Sequence, residues 1–100
     1  MAAAVHPLAD PQDQLDLVFF ALSDPVRRAI LVRLDDGPFL VSQLAEPFDI
    51  SLQAVSRHIQ VLVRAGLVRQ ERTGRISRCS LEAGPILPAA VLSKVEQYFW

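Results

Sequence analysis

The stretch "SLQAVSRHIQVLVRAGLV", residues 51 to 68, sets Gln53, Ser56, Arg57, Gln60 and Arg64 among regularly spaced aliphatic residues. Glutamine carries an acceptor and a donor side by side, the pattern that pairs with the edge of adenine. The arginine fork matches guanine and phosphate oxygens. At about 100° per residue, Leu52, Val55, Ile59, Leu62 and Gly66 fall within about 60° of one pole of a helix wheel. Gln53, Arg57, Gln60 and Arg64 fall within about 40° of the opposite pole, with Ser56 to one side. This ridge of long hydrogen-bonding side chains holds no acid. It is either a solvated face or a face shaped to lie in the major groove of duplex DNA, which a helix fits.

The elements around it favour the second reading. Ser51 is a natural N-cap for the ridge helix, and Gly66 a natural stop after Ala65. Upstream, a short helix from about Val41 to Glu46 is followed by Pro47 and a turn at "FDI", which makes a helix-turn-helix that projects the second helix outward. Downstream, "GLVRQERTGRISRCSLE" reads as two strands, about 67–72 and 76–81, joined at Thr73-Gly74. Arg72 and Arg75 flank that tip, where they can reach phosphates or a neighbouring minor groove. Before these, "SDPVRRAILVRLDDG" opens with Ser23 or Asp24 as N-cap and Pro25 at the first helical position, and closes on Gly37. Its apolar stripe is Val26, Ile30, Leu31 and Leu34. Helices from Asp13 to Leu22 and from Pro88 to Trp100 complete the order. The fold class is therefore mainly α, with about five helices and a two-stranded β-hairpin wing.

The net charge of −1 conceals a split. Residues 1–50 have a balance of −5, and residues 51–80 one of +5, carried by six arginines and no lysine. Charge placement matters more than the total, so a polyanionic partner remains compatible with the neutral sum. One hundred residues, half of them hydrophobic, make one compact domain. No stretch of 18 uninterrupted apolar residues appears, so no bilayer-spanning helix is expected. The opening "MAAAVHPLADPQDQ" lacks the basic start and apolar run of a secretory signal; residues 1–12 read as a disordered lead, and 13–100 as the domain. A single cysteine, Cys79, excludes an internal disulfide and fits a reducing cytoplasm. Carboxylate pairs, Ser/His/Asp sets, Gly-rich phosphate loops and metal clusters are lacking, so an enzyme is the weakest reading and no cofactor is expected.

"ALSDPVRRAILVRL", "VSQLAEPFDISLQAVSRHIQVLVRAGLV" and "RQERTGRISRCSL" resemble the ArsR (ArsR/SmtB-like) family of bacterial winged helix-turn-helix repressors, over roughly residues 15–100. The counterparts are the Asp-Pro-x-Arg-Arg run, the Ser-x-x-x-x-Ser-x-His helix and the Ala-Gly-Leu-Val that follows. The resemblance implies a homodimer built from the first and last helices, binding a palindromic operator and repressing transcription. The family turn usually carries glycine where this chain has Asp49, a residue able to adopt the left-handed conformation. Metal-sensing members carry cysteines on the short helix before the turn, or His and acidic ligands on the last helix. Here Leu40 and Ser42 stand at the Cys-x-Cys positions, and the last helix offers only Glu96. With His6 and His58 as the sole histidines, no metal site is expected.

The residues expected to touch base edges are Gln53, Ser56, Arg57 and Gln60. Those expected at phosphates or the minor groove are Ser51, Arg64, Arg72, Thr73 and Arg75. His58, at the rim of the buried face, is either a packed edge residue or a phosphate contact. Arg27 and Arg28 are internal ion-pair partners or phosphate contacts. Cys79 is a half-buried inert thiol or, with a pKa lowered beside Arg78, a redox switch. The first helix is apolar on two faces, and the last ends in three aromatics, so Leu15, Phe19, Phe20, Val91, Val95, Tyr98 and Phe99 are expected at a dimer interface. Two-fold symmetry would then set two ridges about 34 Å apart, one turn of DNA. The alternatives are a metal- or thiol-triggered repressor of the same family, or a winged helix that contacts only proteins.

Overall fold

The computed structural model describes residues 11–82. In chain order these form α1 (Pro11–Leu22), α2 (Pro25–Leu34), β1 (Phe39–Leu40), α3 (Val41–Ala45), α4 (Leu52–Arg64), β2 (Val68–Thr73) and β3 (Ile76–Leu81). The expected last helix, with Val91, Val95, Tyr98 and Phe99, lies outside the described residues. So do residues 1–10 of the expected lead, whose last two positions instead begin α1. Among the described residues no helix is long and apolar enough to cross a membrane.

Helices α1, α2 and α4 enclose the core with one face of a small sheet. Val18 and Ala21 of α1, Ile30 and Leu34 of α2, and Leu44 of α3 are buried against Val55, Ile59 and Leu62 of α4; Ala65, Val68 and Cys79 close the cluster. The sheet has three strands in the order β1-β3-β2, all neighbours antiparallel, where two were expected. The added strand, β1, is two residues long. Phe39 pairs with Cys79 and Leu40 with Arg78. A strand so short has no periodicity of its own and exists only through its partner.

Local chemistry explains where the helices stop. The Asp24 carboxylate accepts the N–H groups of Val26 and Arg27 at 2.8 and 3.1 Å, and Pro25 starts α2. Gly37 follows α2 with a φ of 126°, a conformation costly for any residue with a Cβ. At the end of α4, Gly66 takes a φ of 79°. Its N–H bonds Val63 O, and the Leu67 N–H bonds Leu62 O, both at 3.0 Å, the paired pattern of a Schellman stop. Asp49 does not take a positive φ; among the described residues only glycines do. The turn before α4 thus needs no left-handed aspartate.

The α1–α2 junction is built on two arginines. The last carbonyls of any helix lack intrahelical partners. Here Arg27 Nε donates to Ala21 O at 2.8 Å, Arg27 Nη2 to Phe20 O at 2.9 Å, and Arg28 Nη1 to Leu22 O at 2.7 Å. The first turn of α2 therefore reaches back to cap α1, and positive charge at a helix C-terminus is itself favourable. Arg27 is only 6% exposed, roofed by the Phe20 ring at 4.9 Å. Its remaining arm, Nη1, lies 3.1 Å from His58 Nδ1 on α4. A guanidinium can only donate, so this contact is a hydrogen bond in the tautomer whose Nδ1 is free to accept. One side chain thus ties α1, α2 and α4 together. Of the two roles expected of Arg27, internal ion pair or phosphate contact, the internal placement is observed, but its hydrogen-bond partners are two carbonyls and an imidazole rather than a carboxylate.

Burial works against ionisation of Asp24. The N–H of Arg27, the proximity of His58 and Arg27 and the N–H of Val26 outweigh it and hold the carboxyl below its ordinary value. A depressed carboxyl stabilises the fold above its unfolded value, near 3.8, and loses that contribution as pH falls through the lower folded value. Asp24→Ala should cost about 1 kcal/mol at pH 7. Asp24→Asn, which keeps an acceptor oxygen, should cost less, and its urea midpoint should converge on that of the wild type as pH is lowered past 3.8. Removing Arg27 is more severe, because it strands two carbonyls and an imidazole nitrogen. Arg27→Ala should lose about 2–3 kcal/mol, whereas Arg57→Ala, on the exposed side of α4, should change urea stability by less than about 0.5 kcal/mol.

Candidate nucleic-acid interface

The candidate site starts with the rotation of α4. Ser51 Oγ accepts the Ala54 N–H at 3.1 Å and caps the helix, although Ser51 itself is exposed. Val55, Ile59 and Leu62 have no exposed area, which leaves Gln53, Arg57, Gln60 and Arg64 all exposed along the opposite side. Ser56 is half-buried at the margin. One expected core residue is displaced. Leu52 is 53% exposed rather than part of the buried face. It occupies the first position of α4, where the helix has already run past the core it packs on. His58 is half-buried and engaged by Arg27, with Asp24 Oδ2 at 3.9 Å from Nδ1. Of its two expected roles, the packed and hydrogen-bonded one is observed.

The wing is the β2–β3 hairpin. Thr73 pairs with Ile76, so the connection is the two-residue loop Gly74-Arg75, one residue further along than expected. Gly74 has a φ of 62° and Arg75 a negative φ. A positive φ at the first central position alone is the pattern of a II′ turn, whose twist suits a hairpin. Arg75 thereby stands at the outermost point of the loop, between exposed Arg72 and Thr73 on one side and exposed Ile76 on the other. The hairpin's other end is held in the core, since Val68 and Cys79 are buried. Cys79 is wholly buried, and burial pushes its thiol pKa up, the direction opposite to the lowering a redox switch would use.

Between wing and helix runs an open cleft of about 290 Å³. Leu52 and Ser56 line it from α4, Ser42 from α3, and Gln70, Arg72, Arg75, Ile76 and Ser77 from the wing. Two strand residues not expected at the site, Gln70 and Ser77, stand in its wing wall, and Gln70 ties the wing to α4 through Gln60. Gln60 Nε2 donates to Gln70 Oε1, and Gln70 Nε2 to Ser77 Oγ, both at 2.6 Å. The signal for Gln70 was its position. It is a polar residue on the inward-facing side of β2, two residues after buried Val68 and paired with buried Cys79, so it must find a partner.

The arrangement has an exposed, acid-free helical ridge, a cationic loop beside it, and a cleft between them with two arginines in its lining. A helix of that kind can enter a major groove while the loop reaches the adjoining backbone. Comparison with known proteins agrees. A family model described as a helix-turn-helix domain matches residues 22–71. The HTH-type transcriptional regulator Rv2034 of Mycobacterium tuberculosis is 38% identical over 85 residues, 85% of this chain and 77% of that protein. The transcriptional repressor SdpR of Bacillus subtilis is 39% identical over 64 residues, 64% of this chain and 71% of its own. Among solved structures, the crystal structure of an ArsR family transcriptional regulator superposes with a TM-score of 0.76 at 38% identity, covering 89% of this chain and 94% of the other. The homodimeric winged helix-turn-helix DNA-binding domain Mb0332 of Mycobacterium bovis superposes with a TM-score of 0.72 at 26% identity, covering 98% and 89%. The chain belongs to the ArsR/SmtB family of winged helix-turn-helix transcriptional regulators, DNA-binding proteins rather than enzymes.

Proposed function

We propose that the protein is a homodimeric repressor that binds a two-fold symmetric operator in the cytoplasm without a metal effector. The observation that carries this reading is the orientation of α4, whose buried face leaves Gln53, Arg57, Gln60 and Arg64 facing outward together. In the proposed complex α4 lies in the major groove, with Gln53, Ser56, Arg57 and Gln60 at base edges. Ser51, Arg64, Arg72, Thr73 and Arg75 hold phosphates or the flanking minor groove. Phosphate contacts set affinity and register, and base-edge contacts set sequence preference.

Support for the dimer comes from α1. Val18 and Ala21 turn inward, Leu15 and Phe19 are partly covered, and Phe20 keeps 57% of its area exposed. Its outer face is thus available to a second copy. The Mycobacterium bovis neighbour is a homodimer, and SdpR is a repressor. Against a metal effector stands the donor set. The lone cysteine is buried in β3, the α3 region offers Leu40 and Ser42, and His58 Nδ1 faces the Arg27 guanidinium at 3.1 Å. Among the described residues no three His, Cys, Asp or Glu side chains are placed to share an ion. These residues do not fit a thiolate-rich metal site.

Binding to a duplex selected from a random pool tests the assignments. Arg57→Ala should weaken specific binding by about 1–3 kcal/mol and erase preference at one operator position. Arg75→Ala should weaken all sequences alike and reduce the slope of log K against log salt by about one. Equal binding by both variants across a salt titration contradicts the assignment, and no affinity for any duplex would favour a protein-binding module instead.

A further inference from the structure

Gln60 stands on the outward ridge of α4, yet one side of its carboxamide is already engaged. Its Nε2 donates to Gln70 Oε1, and Gln70 is held in turn through its Nε2 by Ser77 Oγ, each at 2.6 Å. Gln70 and Ser77 lie on the same side of the hairpin as Cys79, whose burial anchors them. The chain of bonds therefore runs from a rigid point in the sheet to an exposed side chain on the helix.

Folding alone gives little reason for this. A glutamine–glutamine bond open to water contributes little to stability, and holding two long side chains in one rotamer opposes it with entropy. The gain comes on binding. A two-pronged contact with adenine uses the amide oxygen and the Nε2 hydrogen on the oxygen's side. The other Nε2 hydrogen is then the one that bonds Gln70. A carboxamide can make both contacts together, so the bond to Gln70 is compatible with reading a base while it restrains the plane of the Gln60 amide. A side chain ordered before binding loses less entropy when it meets its base.

We propose that Gln70, backed by Ser77, is a positioning residue that holds the Gln60 carboxamide in its base-reading orientation and so sets discrimination at the base pair Gln60 faces. The proposal rests on the assignment of Gln60 to a base edge. It assigns part of the sequence preference to a wing residue that touches no base.

Equilibrium binding of the selected duplex and each of its single-base-pair variants, at one salt concentration, tests it. Gln60→Ala should flatten preference at one position of each half-site. Gln70→Ala should reduce preference at that same position by about three- to tenfold and leave the other positions unchanged. The double variant should be no flatter there than Gln60→Ala alone, and Ser77→Ala should show a smaller loss at the same place. Gln70→Glu supplies the control for folding and charge. Its carboxylate still accepts from Gln60, so it should bind all sequences more weakly yet keep the preference. Two results overturn the relay: Gln70→Ala retains full preference where Gln60→Ala loses it, or Gln70→Ala weakens every sequence alike. If Gln60→Ala leaves all positions unchanged, the base contact itself is wrong and the relay falls with it.

Discussion

The orientation of α4 is the constraint on which the rest of the structure depends. Val55, Ile59 and Leu62 are wholly buried on one side, and Ala65 and the Schellman stop at Gly66 fix where the helix ends. Rotating the helix by one residue would bring buried aliphatic side chains to water at about 1.5–3 kcal/mol each, a large share of the stability of a small domain. Arg27 adds a polar lock through His58. The ridge of Gln53, Arg57, Gln60 and Arg64 is therefore held outward by the core behind it, and a surface that must meet a rigid partner is presented from a rigid element.

The wing depends on the same core by another route. A two-stranded hairpin alone is marginal in water. Here Val68 and Cys79 sink its base into the helical cluster, and β1 adds a third strand along β3. The base of the wing is therefore fixed where it meets the helices, and the glycine turn carries Arg75 out at the far end. Helix and wing meet through the hydrogen bonds of Gln60, Gln70 and Ser77, so the two proposed contact surfaces adjoin. The buried cysteine is part of this framework, and its raised pKa is a consequence of packing.

Much of the fold was legible because local rules and the global structure agree. The caps at Asp24 and Ser51, the stop at Gly66 and the 3.6-residue period of α4 each act within a few residues. What escaped depends on contacts distant in sequence. Strand β1 has no local signal and is defined by residues 78 and 79. Leu52 satisfies the helical period but lies beyond the reach of the core, since a wheel records angle and not axial position. Arg27 reads as an ion-pair partner or a phosphate contact until the open carbonyls of α1 are placed beside it. The exposed ridge was readable from spacing alone; the Gln60–Gln70 bond, between residues ten apart on different elements, was not.

The central claim, that the ridge of α4 lies in the major groove of DNA, is tested most directly by dimethyl sulfate protection, which reports access to guanine N7 in that groove. On a duplex selected by the protein, the account predicts two clusters of protected guanines about one helical turn apart. A stable complex in which every guanine N7 stays as reactive as in bare DNA would contradict it.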